Sequence, residues 1–275
     1  MTNEDILAQG PYIDIEALPG SGQRQAYVVT HTGLKRKIVV KIGTYVYPED
    51  IVRIKREVML LKEIDSPYYP KNYDFKEVDG GHQFVIEEEY INAPSLDQCT
   101  ERFAEPAKLL GLMGELVIGL DILWKKRVVH RDVKPGNILI LKNGSPCIID
   151  LGIARLLYLT TATVRGGAPY TPGYAAPEQM EYNKETIDYR TDQFPLGIIM
   201  LQLLMAGDHP FHPRLVGDGI SVVENIKYGR WCRGEPRITV VQPLASRLLG
   251  HEPYMRYRDV GILLEEIRKT KEGLL

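Results

Sequence analysis

Val128 to Ile140, VVHRDVKPGNILI, is the stretch on which the reading of the whole chain turns. Apolar residues bracket it, VV before and ILI after, so it is a short loop strung between two buried segments. Within it stand Asp132, Lys134 and Asn137: an acceptor, a cation and a carboxamide. These are the groups needed to orient a hydroxyl and to hold a metal on a polyphosphate. Downstream, CIIDLGIAR places Asp150 at the end of an apolar, strand-like run, where such chemistry requires a second metal-binding carboxylate.

Together the two segments resemble the eukaryotic-type (Hanks-type) protein kinase catalytic domain, and most closely its bacterial serine/threonine branch. The resemblance runs from about Tyr12 to Ile267. It implies an α+β, bilobal fold, with an N-terminal antiparallel sheet plus one helix and a mainly helical C-terminal lobe. It implies a single catalytic domain over 1–275, with an N-lobe at about 12–92, a hinge at about 89–94 and a C-lobe at about 95–270. By the same resemblance Asp132 would accept the substrate hydroxyl proton, Lys134 would steady the transferred phosphoryl group, and Asn137 and Asp150 would bind magnesium, for which manganese can substitute. A lysine at 134 matches the Ser/Thr-specific branch.

Working outward, the upstream third alternates apolar and polar residues from Tyr12 to Ile42, with turns at LPGSG and HTG, as two antiparallel hairpins do. GSGQRQ offers Gly20 and Gly22 to a phosphate, but Gln25 stands where the family has a third glycine. Lys41 lies in IVVKI among apolar neighbours, so its ammonium emerges into a cleft or finds a partner. The stretch YPEDIVRIKREVMLLKEI then predicts an amphipathic helix with Ile51, Ile54, Val58 and Leu61 on one face. Glu57 beside that face matches the glutamate that the family pairs with the strand lysine, and Glu63 is the fallback.

By resemblance, GGHQFVIEEEYINAPSLDQ holds the hinge, where backbone groups near Glu89 and Ile91 would bond adenine. The implied nucleotide contacts are Leu18, Gly20, Gly22, Val39, Lys41, Glu89, Ile91 and Leu139. Glu88 falls at the back wall of that pocket, where the family has an apolar or small polar residue. Either Glu88 is paired with a cation, or the register is off by one.

KLLGLMGELVIGLDILWKK predicts a long buried helix leading into the catalytic loop. After Asp150, YLTTATVRGGAPYTPGY is too rich in Thr, Gly and Pro for a helix or strand of any length and resembles an activation segment. It closes on AAPEQ, where Glu178 would pair with Arg256, and TDQFPLG follows, with Asp192 at the position that bonds the catalytic-loop backbone. By the same resemblance Arg131 and Arg155 are basic positions aimed at a phosphorylated residue that lies between Arg155 and the APE stretch, with Thr163 the first choice, then Thr161 and Thr160. Thr171 would stay unmodified and contact Asp132 and Lys134.

Composition bounds the alternatives. The 275 residues are 44% hydrophobic and 25% charged, enough for one or two ordinary globular units. A net charge of −2 argues against nucleic acid as the partner. Cys99, Cys147 and Cys232 lack metal or redox spacing and fit a reducing, cytoplasmic setting. The N-terminus carries no signal-peptide pattern, and the longest apolar run, PLGIIMLQLLMAG, is too short to span a membrane. The expected partners are protein substrates, with a transient homodimer for trans-autophosphorylation. A small-molecule kinase shares Asp132, Asn137 and Asp150 but lacks the segment ending in APE. A nucleotide-binding pseudokinase finds support only in Gln25, Glu88 and Leu151, none of which removes a catalytic group.

Overall fold

Period-two alternation builds the first of two units, Met1–Asn92, as seen in a computed structural model of the chain. The structure describes residues 1–18, 24–45, 47–78, 82–150, 170–181 and 186–274, and of Arg24, Pro48, Arg53 and Glu57 the backbone alone. Gly20, Gly22, Leu151, Arg155, Thr160, Thr161 and Thr163 lie outside the described residues, as does the side chain of Glu57.

A short helix, α1 (Asn3–Gln9), precedes β1 (Tyr12–Ala17), β2 (Arg24–His31) and β3 (Arg36–Thr44). Helix α2 (Pro48–Lys62), β4 (Asn72–Val78) and β5 (Gln83–Glu89) follow. The five strands form one antiparallel sheet in the order β1-β2-β3-β5-β4. Because side chains alternate across a strand, β3 turns Ile38, Val40 and Ile42 to one face and Val39, Lys41 and Gly43 to the other. The first set is buried with Val29 and Val85, and α1 covers that core with Ile6 and Leu7. A capping box starts α1: the Thr2 hydroxyl accepts from the Asp5 amide at 3.1 Å, and the Asp5 carboxylate accepts from the Thr2 amide at 2.9 Å. In α2, acidic Glu49 and Asp50 occupy the first turn, where the helix dipole favours them, and Ile51, Ile54, Val58 and Leu61 are all buried.

The second unit, Ala93–Leu275, is mainly helical. Helix α3 (Pro106–Lys125) buries Leu109, Leu110, Met113, Leu116, Val117, Leu120 and Leu123 along one broad apolar stripe, and Ile118 on the opposite side is exposed. A two-strand hairpin, β6 (Ile138–Ile140) and β7 (Pro146–Ile148), follows the loop after α3. Then come α4 (Pro177–Met180), α5 (Gln193–Leu204), α6 (Pro213–Val216), α7 (Val222–Lys227), α8 (Gln242–Leu248) and α9 (Val260–Glu272). Ten of the twelve residues of α5 are buried, so it is the central post of this unit. Helix α9 packs on α3, and α8 on α5. Each fully buried Leu or Ile in these contacts contributes about 1.5–3 kcal/mol. Among the described residues no helix is long and apolar enough to cross a membrane. All three cysteines are buried and none forms a disulfide; burial pushes the Cys232 thiol up to about 11.

Candidate active site

The loop after α3 is held by its backbone before any side chain is positioned. Asp192, fully buried where α5 begins, accepts the amides of His130 and Arg131, each at 2.8 Å, and the Trp124 indole N–H at 2.9 Å. Three non-glycine residues here have left-handed backbones, Arg127 with φ 59°, Arg131 with φ 64° and Asp150 with φ 57°. Such conformations persist only where the surroundings over-determine them, as the bonds to Asp192 do for Arg131. From α4, Gln179 adds another tie, donating its side-chain amide to the Arg131 carbonyl at 3.0 Å.

His130 links the two ends of the site. Its Nδ1 accepts the Asp132 amide at 3.2 Å, and its Nε2 lies 3.2 Å from the Ile149 carbonyl. With one nitrogen accepting and the other facing an acceptor, the imidazole is neutral and carries its proton on Nε2. Burial holds its pKa below the ordinary histidine value, against the opposing pull of the Asp192 and Asp132 carboxylates. The Ile149 amide in turn donates to the Asn137 carbonyl at 2.9 Å, so the backbones leading to Asp150 and through Asn137 are fastened together.

The side chains converge on Asp132. Its Oδ1 accepts from the Thr171 hydroxyl at 2.8 Å, and its Oδ2 lies 3.2 Å from the Lys134 ammonium. Lys134 also donates to the Thr171 hydroxyl, at 3.2 Å. The Asn137 amide nitrogen donates to the Asp132 carbonyl at 2.9 Å and to Oδ2 at 3.1 Å. A hydroxyl thus sits between a carboxylate that accepts from it and an ammonium that donates to it. That is the arrangement a hydroxyl nucleophile needs.

A buried ion pair braces the segment beyond Thr171. Arg256 is almost wholly buried and uses all five N–H donors. Two reach Glu178, at 2.6 and 2.9 Å, and the others take the carbonyls of Gly250, Arg190 and His251. The guanidinium also lies 5.0 Å from the centroid of the Phe194 ring.

In the first unit the structure brings Lys41 to Glu88. Antiparallel register sets Lys41 across from Ile86 and Val39 across from Glu88, so the two charged residues are diagonal neighbours on one face. The Lys41 ammonium meets the Glu88 carboxylate at 2.5 Å, with both residues under a tenth exposed. Glu88 therefore has its cation, and the register needs no shift. Glu63, the fallback to Glu57, caps the C-terminus of α2 and is exposed. Gln25, in place of a third glycine, donates its side-chain amide to the Leu18 carbonyl at 2.7 Å and so closes the base of the hairpin. Leu18, Val39 and Ile91 are half-buried. Glu89 is half-buried too, its amide donating to the Lys71 carbonyl at 2.8 Å. In the second unit Leu139 is also half-buried, opposite Cys147 in the β6–β7 pair. Sequence reasoning missed Glu87, which is buried on the opposite face of the sheet, its carboxylate 2.5 Å from the Tyr12 hydroxyl and 2.9 Å from the Lys76 ammonium.

Comparison with known proteins agrees with this geometry. Residues 18–235 match a family profile described as protein kinase domain. Serine/threonine-protein kinase PknH of Mycobacterium bovis is 30% identical over 217 residues, which are 77% of this chain and 36% of that protein. Serine/threonine-protein kinase PrkC of Bacillus subtilis is 28% identical over 273 residues, covering 94% of this chain and 40% of its own length. Serine/threonine-protein kinases PknA of Corynebacterium glutamicum is 30% identical over 230 residues, 77% of this chain and 48% of that protein. The chain spans between a third and a half of the length of these relatives.

Proposed function

The chain belongs to the protein kinase family, with the fold of its bacterial serine/threonine branch, and from that premise we propose that it transfers the γ-phosphoryl group of ATP, with magnesium, to Ser and Thr hydroxyls of proteins. The observation that carries this reading is the Thr171 hydroxyl held between Asp132 and Lys134. A substrate hydroxyl entering the same environment would donate its proton toward Asp132 while Lys134 balances the charge gathering on the transferred group. Lys41 would hold the α- and β-phosphates. Lys41, Glu57, Asp132 and Lys134 are the proposed catalytic set, and Leu18, Gly20, Gly22, Val39, Glu89, Ile91 and Leu139 the proposed nucleotide contacts.

The donor set suits a hard divalent cation. Asn137 commits its amide nitrogen to Asp132, which leaves the carboxamide oxygen as its donor atom, and Asp150 supplies a carboxylate. Magnesium, when bound with the nucleotide, neutralises charge on the phosphate oxygens. What the chain itself contributes is fixity: His130 and the Ile149 amide lock the approach to Asp150 against Asn137.

The proposal includes a switch. Arg131 adjoins Asp132, and Thr160, Thr161 and Thr163 lie between Arg155 and the APE stretch in the sequence. A phosphate on one of them, with Thr163 preferred, would draw both arginines together through charge-assisted bonds of about 1.5–3 kcal/mol each. Incubation with labelled ATP, magnesium and a generic basic protein tests the transfer, with Asp132→Asn as the control. Intact-mass analysis of both proteins tests the switch: an unphosphorylated wild-type chain with full activity would rule it out.

A further inference from the structure

Thr171 opens a tight turn whose shape depends on a residue far along the chain. The amides of Tyr174 and Ala175 both reach the Thr171 carbonyl, at 3.1 and 3.3 Å, and Gly173 is left-handed, with φ 93°. The Gly173 carbonyl bonds outside the turn, 2.8 Å from Nε2 of His209, which lies in the HPFHP stretch after α5. The other ring nitrogen of His209 accepts the Phe211 amide at 3.2 Å, so the imidazole is neutral, with its proton directed at Gly173. Burial keeps it neutral by holding its pKa below the ordinary histidine value. The ring also stands edge-on to Tyr174, with centroids 6.0 Å apart, while the Tyr174 hydroxyl donates to Gln202 of α5 at 2.9 Å. The turn is thus pinned at Thr171, Gly173 and Tyr174.

The site therefore has two separate imidazole braces. His130 fastens the Asp132 amide to the Ile149 carbonyl just before Asp150, the metal-binding side, whereas His209 fastens the segment carrying the hydroxyl against Asp132. We propose that His209 is a positioning residue for the protein substrate, holding Thr171 to Tyr174 through the Gly173 carbonyl in the one shape that lets a polypeptide lay a Ser or Thr hydroxyl against Asp132. The inference rests on the kinase reading above. It assigns His209 to the acceptor side of the reaction and away from ATP.

The test compares His209→Phe, which keeps a ring but loses both hydrogen bonds, with His209→Gln, whose side-chain amide can still donate to Gly173. His209→Met is the donor-free alternative if the Phe variant does not fold. With a basic Ser/Thr peptide, the donor-free variant should raise the peptide KM about tenfold, the size expected when a buried carbonyl loses its donor. The ATP KM should stay within about twofold, and Gln should return the peptide KM to within about threefold of wild type. Hydrogen exchange at the Tyr174 and Ala175 amides, which does not depend on catalysis, should speed up in the donor-free variant and recover with Gln. An unchanged peptide KM overturns the proposal. So does an equal rise in both KM values without rescue by Gln, which would make His209 structural only. A wild-type chain that phosphorylates no peptide would sink the kinase reading instead, while the exchange data would still show whether His209 pins the turn.

Discussion

Replacing both members of the Lys41–Glu88 pair should harm folding less than replacing either alone. The charges lie 2.5 Å apart in residues under a tenth exposed. At an effective dielectric constant of about 20 their attraction is roughly 7 kcal/mol, but removing two ions from water costs several kcal/mol each, so the pair nets little over apolar side chains of similar size. Removing one partner strips the other buried charge of this compensation, at about 3–5 kcal/mol. Lys41→Met and Glu88→Leu should each lower the unfolding free energy by about that much, and the double variant by less than either. Urea unfolding of the four proteins measures the cycle. Costs that add to within about 0.5 kcal/mol would show that the two side chains do not interact, and the pairing drawn from the sheet register would be wrong. In the same strand, Glu88→Thr should improve the binding of purine-like inhibitors that need a small wall, and unchanged affinity would place Glu88 away from the nucleotide.

Asp132→Asn keeps the shape of the acceptor but not its basicity, so kcat should fall by about 10²–10⁴ with ATP binding retained, as measured by peptide phosphorylation and nucleotide titration. Asp150→Asn should weaken magnesium-nucleotide binding as well as turnover, which a magnesium titration of the rate would show. Arg256→Met leaves Glu178 buried without its bidentate partner and should cost about 3–5 kcal/mol of stability, read by denaturant unfolding. His130 and His209 both have folded pKa values lowered by burial from the ordinary 6.5. Below that pH the unfolded chain binds protons that the folded chain does not. Stability should therefore be level above pH 7 and fall below about 6.5, by at most about 1.4 kcal/mol per pH unit for each histidine. Unfolding curves from pH 8 to 5.5 would show this, and His130→Asn should flatten the slope.

What the sequence reveals follows from how local each cause is. Strands β1, β2, β3 and β5 and helices α2, α3 and α5 were legible because period-two, period-3.6 and continuous apolar patterns each span many residues, whereas β4 was not read. Asp132, Lys134, Asn137 and Asp150 were legible because the groups that bind a hydroxyl and a metal lie close together in the chain. Helix α1 was overlooked: at seven residues it has no long apolar stripe, although its capping box, Thr2 with Asp5, was there to be read. Among the three consecutive glutamates of β5, only the pairing with β3 and β4 shows that Glu87 and Glu88 are buried on opposite faces. His209 and Gln179 escaped notice because their partners, Gly173 and Arg131, are 36 and 48 residues away, and nothing near either residue marks a contact at that range.

The hydrogen bond from Trp124 to Asp192 gives this chain a built-in optical probe. Only two tryptophans are present, Trp124 and Trp231, so Trp231→Phe leaves a single indole, and its N–H ends on the carboxylate that also holds the His130 and Arg131 amides. Emission from that indole responds to its hydrogen bond and to the polarity around it, so it reports whether the catalytic loop is docked on α5. Nucleotide, magnesium or a modification that loosens the loop can then be followed by fluorescence in the unlabelled protein, with Asp192→Asn as the reference for a broken anchor.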